Sequence, residues 1–222
     1  MIYTDFIPEK RITVISGHYG SGKTSAAVSF AENIAHAGKK VALADLDTVN
    51  PYFRTKDYAG ELKSRGIRVI VSDYANTNVD MPALPGEIYS VFSYPDEKII
   101  IDLGGDDRGA LAIGRLRDGI LDSHDYEMLF TVNFRRPLTS NVADALDVLL
   151  ETQSAAGIAI TGLLNCTNLG DETDENVIKE GIALAREMSQ KTGIPVYANC
   201  VTEHLYAKFR DSAERCFPVS RR

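Results

Sequence analysis

Four fixed positions in the stretch Gly17-His18-Tyr19-Gly20-Ser21-Gly22-Lys23-Thr24 fit G-x-x-x-x-G-K-[S/T], a spacing suited to holding phosphate. Ordinary residue frequencies would bring those positions together in roughly one chain per hundred of this length. Glycines at 17, 20 and 22 open backbone conformations closed to other residues, so that several N–H groups can turn inward as an anion nest. Lys23 is placed to reach the β- and γ-phosphates and the Thr24 hydroxyl to bind Mg²⁺, with Tyr19, Ser21 and Ser25 as further loop contacts. The competing reading is a tight turn with an exposed lysine.

Carboxylates supply the rest of the chemistry. Asp102 ends an apolar run beginning at Lys98 and is followed by Gly104 and Gly105. There a carboxylate could hold a Mg²⁺ water shell opposite Thr24, and Gly105 would let its N–H approach a γ-phosphate. Asp45 and Asp47, two residues apart, share one side of the backbone if it stays extended, so one could orient the attacking water while the other supports the metal. Plain strand-end turns are the alternative for both groups. Asn165 closes another apolar run and offers a donor and an acceptor to a purine edge. Arg135 and Arg136 read either as an exposed loop pair or as phosphate or partner contacts. Cys166 and Cys200 read as small core residues, and His36, His124 and His204 lack metal-ligand spacing.

These groups need elements to hold them. Apolar runs at 12–15, 41–44, 67–71, 98–102, 128–132, 158–164 and 195–201 read as strands. Helical spacing is expected at 24–37, 87–92, 108–121, 140–152 and 177–192, with loops at 48–54, 72–86 and 167–174. Leu205, Phe209, Ala213 and Cys216 make one further helical stripe, expected to dock on the sheet rather than touch a membrane. Strands alternating with helices imply an α/β fold: a mostly parallel, doubly wound sheet with helices on both faces. Since the motifs at Gly17, Asp45, Asp102 and Asn165 each follow a strand, one edge of such a sheet would gather them.

At 222 residues the chain suits one nucleotide-binding domain, expected over 1–222. Its net charge of −7 disfavours bulk nucleic-acid binding. Three cysteines without a C-x-x-C pair predict a reducing, cytoplasmic setting. The acidic N-terminal stretch does not read as a signal peptide, and no run approaches a membrane span.

The phosphate loop, Asp45-Leu46-Asp47-x-x-Asn50-Pro51, Asp102-x-x-Gly105 and Asn165, in this order, resemble the MinD/ParA/CobQ-type (SIMIBI class) P-loop ATPases over about residues 11 to 201. The resemblance implies ATP and Mg²⁺ as cofactors, Lys23 and Asp47 as the catalytic pair, and Asp45 and Asp102 at the metal through water. It further implies a second switch from Asp102 to Gly105, adenine contact by Asn165, and a nucleotide-dependent homodimer serving a protein partner or cofactor maturation. Where the MinD and ParA branches carry a second lysine after the first loop glycine, this chain has His18. Without a clear finger residue, slow hydrolysis is expected. A small-molecule transferase or ligase resembling dethiobiotin synthetase, with 74–85 as its substrate wall, is the rival expectation. Asn165-Cys166-Thr167-Asn168 ends in Asn where guanine recognition uses Asp, which favours adenine.

Overall fold

The computed structural model describes residues 2–47, 59–71, 86–105 and 107–220. The expected loops at 48–54 and 72–85, with Asn50, Pro51 and the supposed substrate wall, lie outside the described residues.

β-Branched and aliphatic runs form the strands β1 (Ile12–Ser16), β2 (Val41–Asp45), β3 (Ile67–Val71), β4 (Lys98–Asp102), β5 (Tyr126–Val132), β6 (Gly162–Asn165), β7 (Val196–Thr202) and β8 (Cys216–Val219). They make one eight-stranded sheet in the order β3-β2-β4-β1-β5-β6-β7-β8, and every described pairing is parallel. The helices are α1 (Lys23–His36), α2 (Ala59–Ser64), α3 (Asp107–Gly114), α4 (Arg117–Asp122), α5 (Val142–Ala156), α6 (Glu175–Thr192) and α7 (Glu203–Phe209). Among the described residues no helix is long and apolar enough to cross a membrane.

The period of two along each strand divides the core. Ile12 and Val14 of β1 join Ile113, Leu149 and Met188 of α3, α5 and α6 on one face. Ile15 joins Phe30 and Ile34 of α1 and Leu62 of α2 on the other. From β1 the chain first builds outward through β2 and β3, returns to β4, and then crosses to β5 on the opposite side. The winding therefore reverses beside β1, and the crevice at such a reversal opens beyond the C-terminal strand ends.

Three expectations need correction. The run at 158–164 is strand only from Gly162, because the Thr161 hydroxyl accepts the Met128 N–H at 3.0 Å and the Gln153 side chain takes the Ile160 N–H at 2.9 Å. The expected helix at 108–121 is broken into α3 and α4. Its Gly119 marks a close approach, since a Cβ there would lie 2.8 Å from the Phe92 ring. The stripe from Leu205 to Cys216 is helical only to Phe209, while Cys216 opens β8. Pro218 obscured that strand in the sequence, yet a proline is tolerated on an edge.

Strand β8 closes the sheet with an aromatic cluster: Phe217, 1% exposed, packs on Phe30 and Phe6 with ring centroids 4.7 and 5.1 Å apart. Replacing Phe217 by Ala should cost about 3 kcal/mol or more. Urea unfolding should show a lower midpoint with an unchanged slope.

Candidate functional site

The loop after β1 adopts the backbone that its glycines permit. Gly17 has φ +134°, and a Cβ there would lie 2.3 Å from the Thr131 carbonyl oxygen. Gly22, at φ +100°, is the N-cap of α1 and leaves no room for a side chain against Cys166. No side chain caps α1 and its first turn holds no acidic residue, so the positive end of the helix faces the crevice. Lys23, 5% exposed, folds back so that Nζ donates to the His18 carbonyl at 3.0 Å, and the Ser21 N–H donates to the same oxygen at 3.2 Å. Two donors suited to phosphate thus converge inside the loop. Ser21 is buried and its hydroxyl oxygen has no hydrogen-bond partner. Tyr19 and Gly20 are exposed and Ser25 is half-buried on the first turn.

Asp102 sits opposite this turn. Its Oδ2 accepts from the Thr24 hydroxyl at 2.7 Å, while the buried Oδ1 has no hydrogen-bond partner among the described residues. Asp45 is its register partner on the neighbouring strand. Burial, and next the Asp45 carboxylate, push the Asp102 acid up to about 8; Lys23 and the Thr24 hydroxyl pull downward, and Asp47 adds a smaller upward push. Unmet Oδ1, the Thr24 hydroxyl and nearby Asp45 fit a hard divalent cation that keeps most of its water and takes other ligands from phosphate. Among the described residues no group of three His, Cys, Asp or Glu side chains forms a metal cage of its own.

Of the acidic pair, Asp45 is the last residue of β2 and Asp47 lies two residues beyond it. The strand ends at Asp45, whose carboxylate accepts the Asp47 N–H at 2.9 Å, and this turn leaves Asp47 half-buried. Gly105 is brought hard against the loop: a Cβ there would lie 2.7 Å from the Tyr19 nitrogen and 2.9 Å from Lys23 Nζ. A cavity of about 100 Å³ lies alongside, between His18, Gly105 and Glu151.

Asn165 is 3% exposed and turned inward. Its Nδ2 donates to Asn199, and its oxygen accepts from the Thr167 N–H and hydroxyl at 3.1 and 2.7 Å, which uses both lone pairs. The recess beside the loop, about 70 Å³, is lined instead by Gly22, Ser25, Cys166, Asn168, Cys200 and Thr202, among others. Asn168 and Thr202 lie outside the expected site residues, and of the two only Asn168 carries a signal in the sequence, as the end of the Asn165-x-x-Asn168 spacing. Arg136 also reaches the loop, with Nε 3.0 Å from the Gly20 carbonyl oxygen, whereas Arg135 pairs with Glu180.

A sequence profile described as the CobQ/CobB/MinD/ParA nucleotide binding domain matches residues 12–198. No curated protein matches the chain. Among solved structures, cell division protein FtsY from Thermotoga maritima is similar over 88% of this chain and 63% of its own, at 21% identity and a TM-score of 0.54. The signal recognition particle 54 kDa protein from Aeropyrum pernix K1, in complex with GDP, is similar over 86% of this chain and 41% of its own, at 18% identity and a TM-score of 0.54. The chain thus spans less than two thirds of either protein, and the likeness is one of fold.

Asp102 makes stability sensitive to pH. Its carboxyl titrates near 4 when unfolded and at about 8 when folded, so between those values the folded state holds the extra proton and stability falls as pH rises. Buried Glu127, whose acid is also raised, acts in the same direction. Without ligand, the urea midpoint should be higher at pH 5.5 than at pH 8, and Asp102→Asn should flatten that dependence.

Proposed function

The chain belongs to the CobQ/CobB/MinD/ParA nucleotide-binding domain family, and on that premise we propose that it is a Mg²⁺-dependent ATPase acting as a nucleotide-controlled switch for a protein partner or a cofactor-maturation process. The observation that carries this reading is the Thr24–Asp102 bond beside an unmet buried carboxylate oxygen, with Gly105 packed against Lys23. Lys23, the loop N–H groups and the start of α1 bind the phosphates. Thr24, with Asp45 and Asp102 through water, would hold Mg²⁺, which would neutralise charge on the phosphate oxygens. Asp47 orients the attacking water, and the turn from Asp102 to Gly105 distinguishes the nucleotide with a γ-phosphate from the one without. Adenine is favoured over guanine because Asn168 stands where guanine recognition places an acid.

A rival use of the same loop is phosphoryl transfer to a small molecule, which the cavity between His18, Gly105 and Glu151 favours because it adjoins His18, whose carbonyl oxygen accepts from Lys23 Nζ. Radiolabelled ATP in single turnover separates the two: label released as free phosphate supports the switch, and label retained on a metabolite supports the transferase. A nucleotide-dependent homodimer and a cytoplasmic setting belong to the first reading, and the mass in solution with and without ATP tests the dimer.

Lys23→Ala should weaken Mg²⁺-ATP binding by at least about a hundredfold, given the loss of a charged donor in a buried site. Calorimetry on protein of native circular dichroism reads this out, and an unchanged affinity would remove the basis of the proposal.

A further inference from the structure

Among the described residues Arg136 is a second cation at the phosphate loop beside Lys23, and nothing in the reaction outlined above uses it. It lies four residues beyond β5 on a turn closed by its own hydrogen bonds. Its N–H donates to the Asn133 carbonyl at 3.1 Å, its own carbonyl accepts from the Thr139 N–H at 3.1 Å, and the Thr139 hydroxyl donates to the Asn133 carbonyl at 2.7 Å. Asn133 is 0% and Thr139 1% exposed, so the turn is rooted in the core. From there the Arg136 side chain, half-buried as a residue, places Nε 3.0 Å from the Gly20 carbonyl oxygen in an exposed contact, and its Cδ would lie 3.9 Å from a Cβ on Gly20. The two ends of one peptide unit are thus held oppositely. Outside the loop, the Gly20 oxygen accepts from Arg136; inside it, the Ser21 N–H points at the oxygen that also receives Lys23 Nζ.

We infer that Arg136 is a positioning residue for phosphate binding: its charge-assisted bond to Gly20 fixes the Gly20–Ser21 peptide with the Ser21 N–H directed into the loop. The bond restrains rotation of the peptide that joins Gly20, at φ +72°, to Ser21, with Gly22, at φ +100°, next in the chain. It also polarises that peptide, which makes its N–H a better donor to an anion. In a chain of net charge −7, with Asp45, Asp47 and Asp102 gathered nearby and His18 in the second loop position, it adds fixed positive charge where Lys23 alone lies within the loop.

This inference rests on the reading of the loop as a nucleotide site, so the test begins with the wild-type protein. Calorimetric affinities for Mg²⁺-ADP and a non-hydrolysable Mg²⁺-ATP analogue are measured at several salt concentrations for wild type, Arg136→Ala, Arg136→Gln, Arg136→Lys and Arg135→Ala. Arg136→Ala should weaken both nucleotides about tenfold, the scale of one charge-assisted hydrogen bond, with a shallower dependence on salt. Arg136→Gln, which can donate without charge, should fall between and share the shallow dependence, while Arg136→Lys restores the wild-type dependence. Arg135→Ala should match wild type. Wild-type protein that binds neither nucleotide would overturn the nucleotide-site reading and this inference with it. Wild-type binding with Arg136→Ala within twofold, or a loss that leaves the salt dependence unchanged and is not recovered by lysine, would overturn this inference alone.

Discussion

The site is organised by a carboxylate shut away from water. Asp102 is 1% exposed at the end of β4, one of its oxygens held by Thr24 and the other without a hydrogen-bond partner among the described residues. Ionised, such a group carries a large desolvation penalty unless a cation stands beside it. Lys23 supplies part of that compensation, while Asp45, one strand away, opposes it. The desolvation that raises the Asp102 acid also strengthens the pull of its carboxylate on a cation in the crevice, because charges interact more strongly where water is excluded. Everything around it follows from the parallel topology. Strands β1, β2 and β4 run side by side in the same direction, so their C-terminal ends deliver the phosphate loop, Asp45 and Asp102 to one place.

Loops alone would not hold such a cluster steady, and here three of them are fastened together. Buried Asn133, just past β5, accepts from the Arg135 and Asn168 N–H groups at 2.9 and 3.3 Å, and the Thr167 hydroxyl accepts the Phe134 N–H at 3.2 Å. The turn after β5 is thereby joined to the turn after β6, and through Arg136 to the phosphate loop. Cys166 completes the contact from below, its Cβ 3.1 Å from where a Cβ on Gly22 would lie. The recess beside the loop is therefore walled by a hydrogen-bonded unit, the preorganisation that binding small ligands requires.

What could be read from the chain divides along physical lines. The phosphate loop and the central strands were legible because both signals are local: glycines whose φ values only glycine adopts readily, and runs of Ile, Val and Leu long enough to be buried on both faces. The alignment of Asp102 with Thr24 followed from topology alone. Asn165 shows the limit of such reasoning. Its position at a strand end is as expected, but side-chain direction depends on Asn199 and Thr167, and no spacing rule shows that both amide lone pairs are already taken. Strand β8 was hidden by Pro218 and by a stripe whose first half, Leu205 and Phe209, is helical. Arg136 differed from Arg135 in nothing the sequence displays; only the fold sends one to Glu180 and the other to Gly20.

The tight packing around Gly105 bears on how binding could be felt elsewhere. No side chain fits at Gly105, wedged against Tyr19 and Lys23, and none at Gly109, where a Cβ would lie 2.2 Å from the Gly104 carbonyl oxygen. Two glycines thus let the turn after β4 lie against the phosphate loop at one end and against the start of α3 at the other. Ile113 of α3 shares a core with Leu149 of α5. A displacement of Lys23 toward a phosphate therefore has a contiguous path to a helix on the face of the sheet. Contact by itself is not coupling: the turn must have two arrangements that the nucleotide stabilises unequally. Close packing favours discrete arrangements over gradual deformation. The wedge at Gly105 is the point where a change in the loop would have to be resolved into one arrangement or the other.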